Sequence, residues 1–224
     1  MLQALPKNLS LEEYLNYEDG TDTRYELVNG ELVAMGQPTG QYAEIAEFLD
    51  DEFRNHIKQL ALPLVSKQGA IALAMPQVEG KDTARIPDVC VVDAQLWEKM
   101  RKRTAAIALD ESPPVMVVEI VSTNWRDDYL KKLADYESLG ISEYWIVDYQ
   151  ALDAARYIGT PKQPTVLVYQ LVENEYQVSQ FRDGDRIVSS TFPELSLTAG
   201  IWHGFARQSH LKDFAAPTIA PGLS

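Results

Sequence analysis

A carboxylate stands in the middle of an otherwise unbroken apolar run, Val115-Met116-Val117-Val118-Glu119-Ile120-Val121. Apolar residues at both odd and even positions describe a strand covered on both faces. An ionised carboxylate in such a strand costs several kcal/mol unless it is paired, hydrogen-bonded or bound to a metal. The same conflict recurs in Arg85-Ile86-Pro87-Asp88-Val89-Cys90-Val91-Val92, where Asp88 follows a proline and leads into a run suited to burial. Taken singly, Glu119 fits a buried ion pair and Asp88 a turn at a strand edge. Taken together, two acids on two apolar strands suggest a site for a hard cation. Mg²⁺ takes oxygen ligands and is often held by only one or two carboxylates, with water and substrate phosphate completing its shell.

The segment after Glu119 supplies a cation. Residues 127–139 have helical spacing, with Tyr129, Leu130, Leu133, Tyr136 and Leu139 on the apolar side at roughly 100° per residue. Lys132 falls between Tyr136 and Leu139 on that projection, at the edge of the buried stripe. Lys131 projects towards solvent. Asp128 precedes Lys132 by one turn and is placed to hydrogen-bond it. A lysine here can also simply lay its stem over apolar surface.

Composition limits what such a site can serve. The 224 residues fit one large domain, or one domain with a small appendage, and 46% hydrophobic residues allow a sizeable core. No apolar run approaches the roughly 18 residues of a membrane span, and the N-terminus has no signal-peptide pattern. The single cysteine, Cys90, excludes an internal disulfide, suits a reducing cytoplasm and reads as core. The net charge of −13 weighs against a nucleic-acid partner, because phosphate binders usually carry excess Lys and Arg. Lys99, Arg101, Lys102 and Arg103 form one local basic stretch, which reads equally well as a solvated loop.

Ser10-Leu11-Glu12-Glu13 has the capping-box pattern and predicts a helix ending near Asp19-Gly20. Asn29-Gly30 between residues 24–28 and 31–35 predicts a hairpin. Apolar spacing over 40–60 predicts a long amphipathic helix. Strands are expected near 62–74, 84–93, 114–122 and 142–148, with helices near 94–101 and 127–139, the latter stopped by Gly140. Strand 114–122, helix 127–139 and strand 142–148 make a β-α-β unit, so the fold class is α/β (α+β) with a mixed central sheet flanked by helices. Short strands near 154–159, 164–171, 174–181 and 186–189 read as a C-terminal antiparallel meander. One domain over 1–213 is expected: a core of about 22–150, a β-rich extension of about 151–197 and a helix of about 198–213. A flexible tail follows over 214–224. His56, His203 and His210 are scattered and suggest no metal cluster.

The order Pro87-Asp88, Glu119, lysine resembles the PD-(D/E)XK nuclease superfamily. The stretch from Tyr25 to Asp148 resembles, more closely, its "putative restriction endonuclease" family, which is abundant in cyanobacteria. The matching pieces are YELVNGEL (25–32), the helix beginning at Pro38-Thr39-Gly40, RIPDVCVV (85–92), PPVMVVEIVS (113–122), DYLKKLADYESLGISEYWIVD (128–148) and FPEL (192–195). In the superfamily pattern the lysine would stand at position 121, which here is Val121. Lys132 matches a position relocated to the following helix. A histidine often found at the start of the helix after Pro38 is replaced by Gln41-Tyr42.

This resemblance implies a restriction-endonuclease-like fold and Mg²⁺-dependent hydrolysis of DNA phosphodiesters, with Mn²⁺ able to substitute. Asp88, Glu119 and the Ile120 carbonyl would hold the metal. Lys132 would orient or deprotonate the attacking water, or stabilise developing negative charge. Glu26 would be a further ligand, directly or through water, or an ion-pair partner of Arg24 or another basic residue. Tyr136 and Asp148 would be structural supports. The resemblance also implies a homodimer. RNA remains an open alternative substrate. The competing readings are a nuclease-fold protein with weak or no catalysis acting as a binding or assembly module, and a non-nuclease binding protein with structural ion pairs.

Overall fold

A computed structural model describes residues 5–122, 127–152 and 155–201, the side chains of residues 127, 128 and 156 excepted. Two mixed sheets form the molecule. The larger contains β3 (Leu64–Gln68), β6 (Val89–Asp93), β8 (Met116–Ile120), β9 (Glu143–Asp148), β10 (Thr165–Val172) and β11 (Glu175–Phe181). Their spatial order is β11-β10-β9-β8-β6-β3. The smaller sheet contains β1 (Tyr25–Val28), β2 (Glu31–Ala34), β4 (Ala72–Val78), β5 (Lys81–Arg85) and β7 (Ala106–Ile107), in the order β2-β1-β5-β4-β7.

The centre of the larger sheet is buried on both faces, while its edge strand β11 is largely exposed. Every residue of β8 and of β9 is buried. The two strands are parallel, with Glu119 opposite Ile146, as the expected β-α-β unit requires. Helix α2 (Gly40–Gln59) covers one face through Ile45, Leu49 and Phe53, which pack with Val89, Val118 and Trp145. The Thr39 hydroxyl caps α2 by accepting from the Tyr42 amide at 3.2 Å, and this fixes where Tyr42 leaves the first turn. The other face carries Val117, Val121, Tyr129, Tyr136 and Tyr144. Cys90 lies inside this layer, and burial pushes its thiol pKa up, which keeps it an inert core residue.

The Asn29-Gly30 hairpin forms as expected, with Val28 paired to Glu31. Both turn residues have positive φ, 50° and 76°, as a two-residue type I′ turn demands. A β-carbon at Gly30 would also come within 3.1 Å of the Asn8 backbone. The capping box at Ser10 is present, although α1 (Leu11–Leu15) stops sooner than expected, at Asn16.

Several expectations need correction. The apolar stretch 62–74 is two strands, broken at Gly69, and 84–93 is two strands broken around Pro87-Asp88. Each half of those runs enters a different sheet, because β4 and β5 pair through the Glu79-Gly80 turn while β3 pairs with β6. Residues near 154–159 form a short helix, α5 (Ala155–Ile158), rather than a strand. Near 186–189 there is only an isolated bridge between Arg186 and Thr198. The C-terminal β structure is therefore one hairpin, and it extends the large sheet through β9 and β10. Helix α3 (Ala94–Met100) is as expected. Within 198–213, Ala199–Ile201 is a 3₁₀ turn, and the remainder of that expected helix, with the tail, lies outside the described residues. Among the described residues no helix is long and apolar enough to cross a membrane.

The expected helix 127–139 begins as a π-helix, Asp127–Lys132, and continues as α4 (Leu133–Ser138). The wider turn changes the angular phase. Leu130, expected on the buried side, is 46% exposed, whereas Tyr129, Lys132 and Tyr136 are buried. Lys131 is exposed, as expected.

Candidate active site

The site sits at one end of the large sheet, where β8 finishes and β6 begins. Val89 pairs with Val118 in the antiparallel β6–β8 ladder. Continuing that register by one residue sets Asp88 opposite Glu119, with Cα atoms about 4.5–5.5 Å apart for such a pair. The two acids singled out from the sequence are therefore neighbours. Pro87 lies between β5 and β6, where the missing N–H costs no ladder bond.

Asp88 accepts from the Ile120 amide at 2.7 Å and from the Tyr42 hydroxyl at 2.5 Å. These donors hold the carboxyl in place but carry no formal charge. Burial raises its pKa above the ordinary value, and the nearby Lys132 charge and the two hydrogen bonds counter only part of that effect.

Glu119, 2% exposed, has both oxygens engaged from the π-helix and α4. Oε2 accepts from the Lys132 ammonium at 2.9 Å and Oε1 from the Tyr136 hydroxyl at 2.5 Å. The buried tyrosine has its own pKa raised, first by burial and then by the Glu119 charge, so it remains a donor. Lys132 also lies 4.0 Å from Glu26.

Glu26 enters from the small sheet. Its Oε2 is 3.2 Å from Arg85, and its Oε1 accepts from the Ile86 amide at 2.9 Å. Arg85 is 3% exposed and reaches Asp135 at 3.4 Å as well. The array thus runs from half-buried Asp135 to the buried Arg85, Glu26, Lys132 and Glu119. Among the alternatives left open for Glu26, the ion-pair partner present is Arg85 rather than Arg24. Of the two expected supports, Tyr136 touches Glu119 directly. Asp148 accepts from the Leu152 amide at 3.0 Å and caps the turn after β9. The expected Asp128–Lys132 contact falls on a side chain outside the described ones.

Three residues around the site carry no role in the sequence reading: Asp135 and Arg85 of this array, and Tyr42 beside Asp88. Arg85 precedes the proline by two, and its signal is a cation directly ahead of the run Ile86 to Val92 that also holds Asp88. Tyr42 was noted only as standing where a histidine was expected, and its hydroxyl reaches Asp88. In the basic stretch near 99–103, Arg101 pairs with Glu98 and Arg103 with Glu111, while Lys99 and Lys102 are exposed.

The donors at the site decide whether it fits Mg²⁺. Among the described residues no group of three or more His, Cys, Asp or Glu is gathered for a metal. Two hard carboxylates on adjacent strands nevertheless meet the minimum that Mg²⁺ uses. Each carboxylate oxygen offers two lone pairs, so the observed hydrogen bonds leave capacity for a cation. Asp88, buried against uncharged donors, gains most from one. The residues fit the ion.

These features define a restriction-endonuclease-like fold with a clustered Asp, Glu and Lys at its sheet end. Residues 11–200 match the Uma2 family, described as "Putative restriction endonuclease", and the chain belongs to that family. A crystal structure from Anabaena variabilis, described as a "putative nuclease belonging to DUF820", is similar in fold. It has a TM-score of 0.66 and 15% sequence identity, and covers 88% of this chain and 98% of that one. No curated protein matches the chain.

Proposed function

We propose that this protein is a divalent-metal-dependent endonuclease that hydrolyses DNA phosphodiester bonds. The observation that carries the reading is the Asp88–Glu119 pair across β6 and β8, with the Lys132 ammonium 2.9 Å from Glu119. Membership of the Uma2 family supports it.

Asp88 and Glu119, with the Ile120 carbonyl, would hold Mg²⁺, and Mn²⁺ would substitute. The ion, when bound, supplies Lewis-acid polarisation of a phosphoryl oxygen and acidifies a bound water. The chain's own residues do the rest. Tyr42 and the Ile120 amide fix the Asp88 carboxyl, and Tyr136 fixes Glu119. Lys132, held between Glu119 and Glu26, presents a positive charge where negative charge develops on the phosphorane oxygens. Glu26 positions Lys132 and is itself fixed by Arg85. The active unit on duplex DNA would be a homodimer, one copy for each strand.

A second reading has one observation in its favour. Both Glu119 oxygens are already engaged by Lys132 and Tyr136, as in a binding module whose ion pairs are purely structural. Plasmid cleavage separates the two. Wild type should nick plasmid in Mg²⁺ and not in EDTA, and Glu119→Ala and Lys132→Ala should each lower the rate by about 10²–10³-fold. Mg²⁺ should raise the melting temperature of wild type and not of Asp88→Ala. A stable wild type that neither cleaves nor gains stability from the ion would leave the binding-module reading standing.

A further inference from the structure

An acidic chain that binds DNA needs a locally positive face near its site. The array around Glu119 does not provide one, because Lys132 and Arg85 are buried and face carboxylates. Arg24 differs. It is exposed, and its guanidinium donates to the Gly69 carbonyl, a neutral partner that leaves the positive charge uncompensated. Among the described residues no carboxylate pairs with it. Arg54, Arg101 and Arg103, by contrast, are each tied to an acid, while Arg182 and Arg186, bonded like Arg24 to neutral acceptors, belong to the segment after β11 and not to the strands that carry the site.

The seat of Arg24 is built into the site's framework. Gly69 ends the β3 segment at a positive φ of 49°, and a β-carbon there would lie 3.5 Å from the guanidinium. The Gly69 amide donates to the Asp88 carbonyl at 2.8 Å, so Arg24 is joined to the catalytic aspartate by two consecutive hydrogen bonds. Arg24 also precedes Glu26 by two residues. On an extended chain this gives both the same side of the strand, roughly 7 Å apart. One reaches the buried array and the other stands at the surface beside it. A guanidinium offers five N–H donors in a fork that suits phosphate oxygens, and the Gly69 carbonyl engages one edge only.

We propose that Arg24 binds a backbone phosphate of the substrate strand next to the phosphodiester addressed by Asp88, Glu119 and Lys132. The proposal rests on the nuclease reading above and adds a substrate-binding residue to it. The contact is to phosphate, so it contributes affinity and register without base preference.

The test is binding of a fluorescein-labelled DNA duplex by anisotropy over a salt series, together with kcat and KM for its cleavage in Mg²⁺. Arg24→Ala should weaken binding about tenfold and make the slope of log K against log salt shallower by about one. KM should rise by a similar factor with kcat within about twofold. Arg24→Lys should keep the slope while losing part of the affinity, because charge stays and the fork goes. Lys58→Ala, near the other end of α2 and about 24 Å along it from Tyr42, removes the same charge and should leave both quantities unchanged. Thermal melting checks that each variant is folded, and Arg24→Gln replaces Arg24→Ala should the latter fail. Wild-type affinity and slope in Arg24→Ala or Arg24→Gln overturn the proposal, as does an equal loss in Lys58→Ala. Either outcome leaves intact a nuclease whose cleavage still depends on Glu119. A wild type that binds the duplex but does not cleave it removes the nuclease reading, with Arg24 still decided by the binding data. A wild type that does not bind duplex removes both.

Discussion

The two sheets handle charge in opposite ways. The large sheet is apolar on both faces at its centre and sets Asp88 and Glu119 side by side at one end, while Glu143, buried at the other end, is satisfied by Trp145, Ser190 and Thr191. The small sheet brings its acid, Glu26, already matched to a cation, with Arg85 held on the neighbouring strand by the Leu27–Ala84 pairing of β1 and β5. One sheet concentrates negative charge and the other fixes positive charge beside it. The site exists where they meet, so stability and chemistry should respond separately to mutation in the two.

The sharpest break is expected in the small sheet. Arg85→Met leaves Glu26 buried without its partner and should cost about 3–5 kcal/mol, read as a lower urea midpoint with an unchanged m-value. A loss below ~1 kcal/mol would mean that Arg85 is not what matches the buried Glu26 in the small sheet. Tyr136→Phe comes next. It removes a buried hydrogen bond to a carboxylate and should cost about 1.5–3 kcal/mol, by the same measurement.

The smallest effect has the opposite sign. The Asp88 pKa is raised by burial from its ordinary 3.8. Between that value and the raised one the folded chain binds more protons than the unfolded chain, so the Asp88 contribution to stability falls as pH rises through that window. Asp88→Asn cannot ionise. It should flatten this part of the profile and, without metal, raise the melting temperature at neutral pH by about 2–4 °C, the shift for ~1 kcal/mol in a chain of this size. Added Mg²⁺ should shrink the difference by stabilising wild type alone. A destabilised Asp88→Asn at neutral pH would put Asp88 among the structurally matched acids, alongside Glu26.

Legibility in the sequence followed the range of each signal. Asn29-Gly30, the Ser10 capping box, α2 and the β8–β9 strands are local patterns, and they form as read. Glu119 and Asp88 were legible because an acid in an apolar run is itself an anomaly. Lys132 was found on the buried side by angular spacing, although Leu130 was misplaced because a π turn advances each residue by a smaller angle than an α turn. The splits at Gly69 and around Pro87-Asp88 were hidden, since apolar content does not say which sheet a strand joins. Arg85 and Tyr42 acquire their roles from partners 59 and 46 residues away, and no window along the chain contains both ends of such a contact.

The π-helix ties the lysine to chain length in an unusual manner. An i→i+5 turn holds one residue more than an α turn, so a single deletion between Asp127 and Lys131 would let the backbone relax into a tighter, more favourable helix. The same deletion would swing position 132 by roughly 100°, away from Glu119 and towards water. The slack residue gives this helix a built-in register, in which the comfortable backbone and the inward-facing amine cannot both be had.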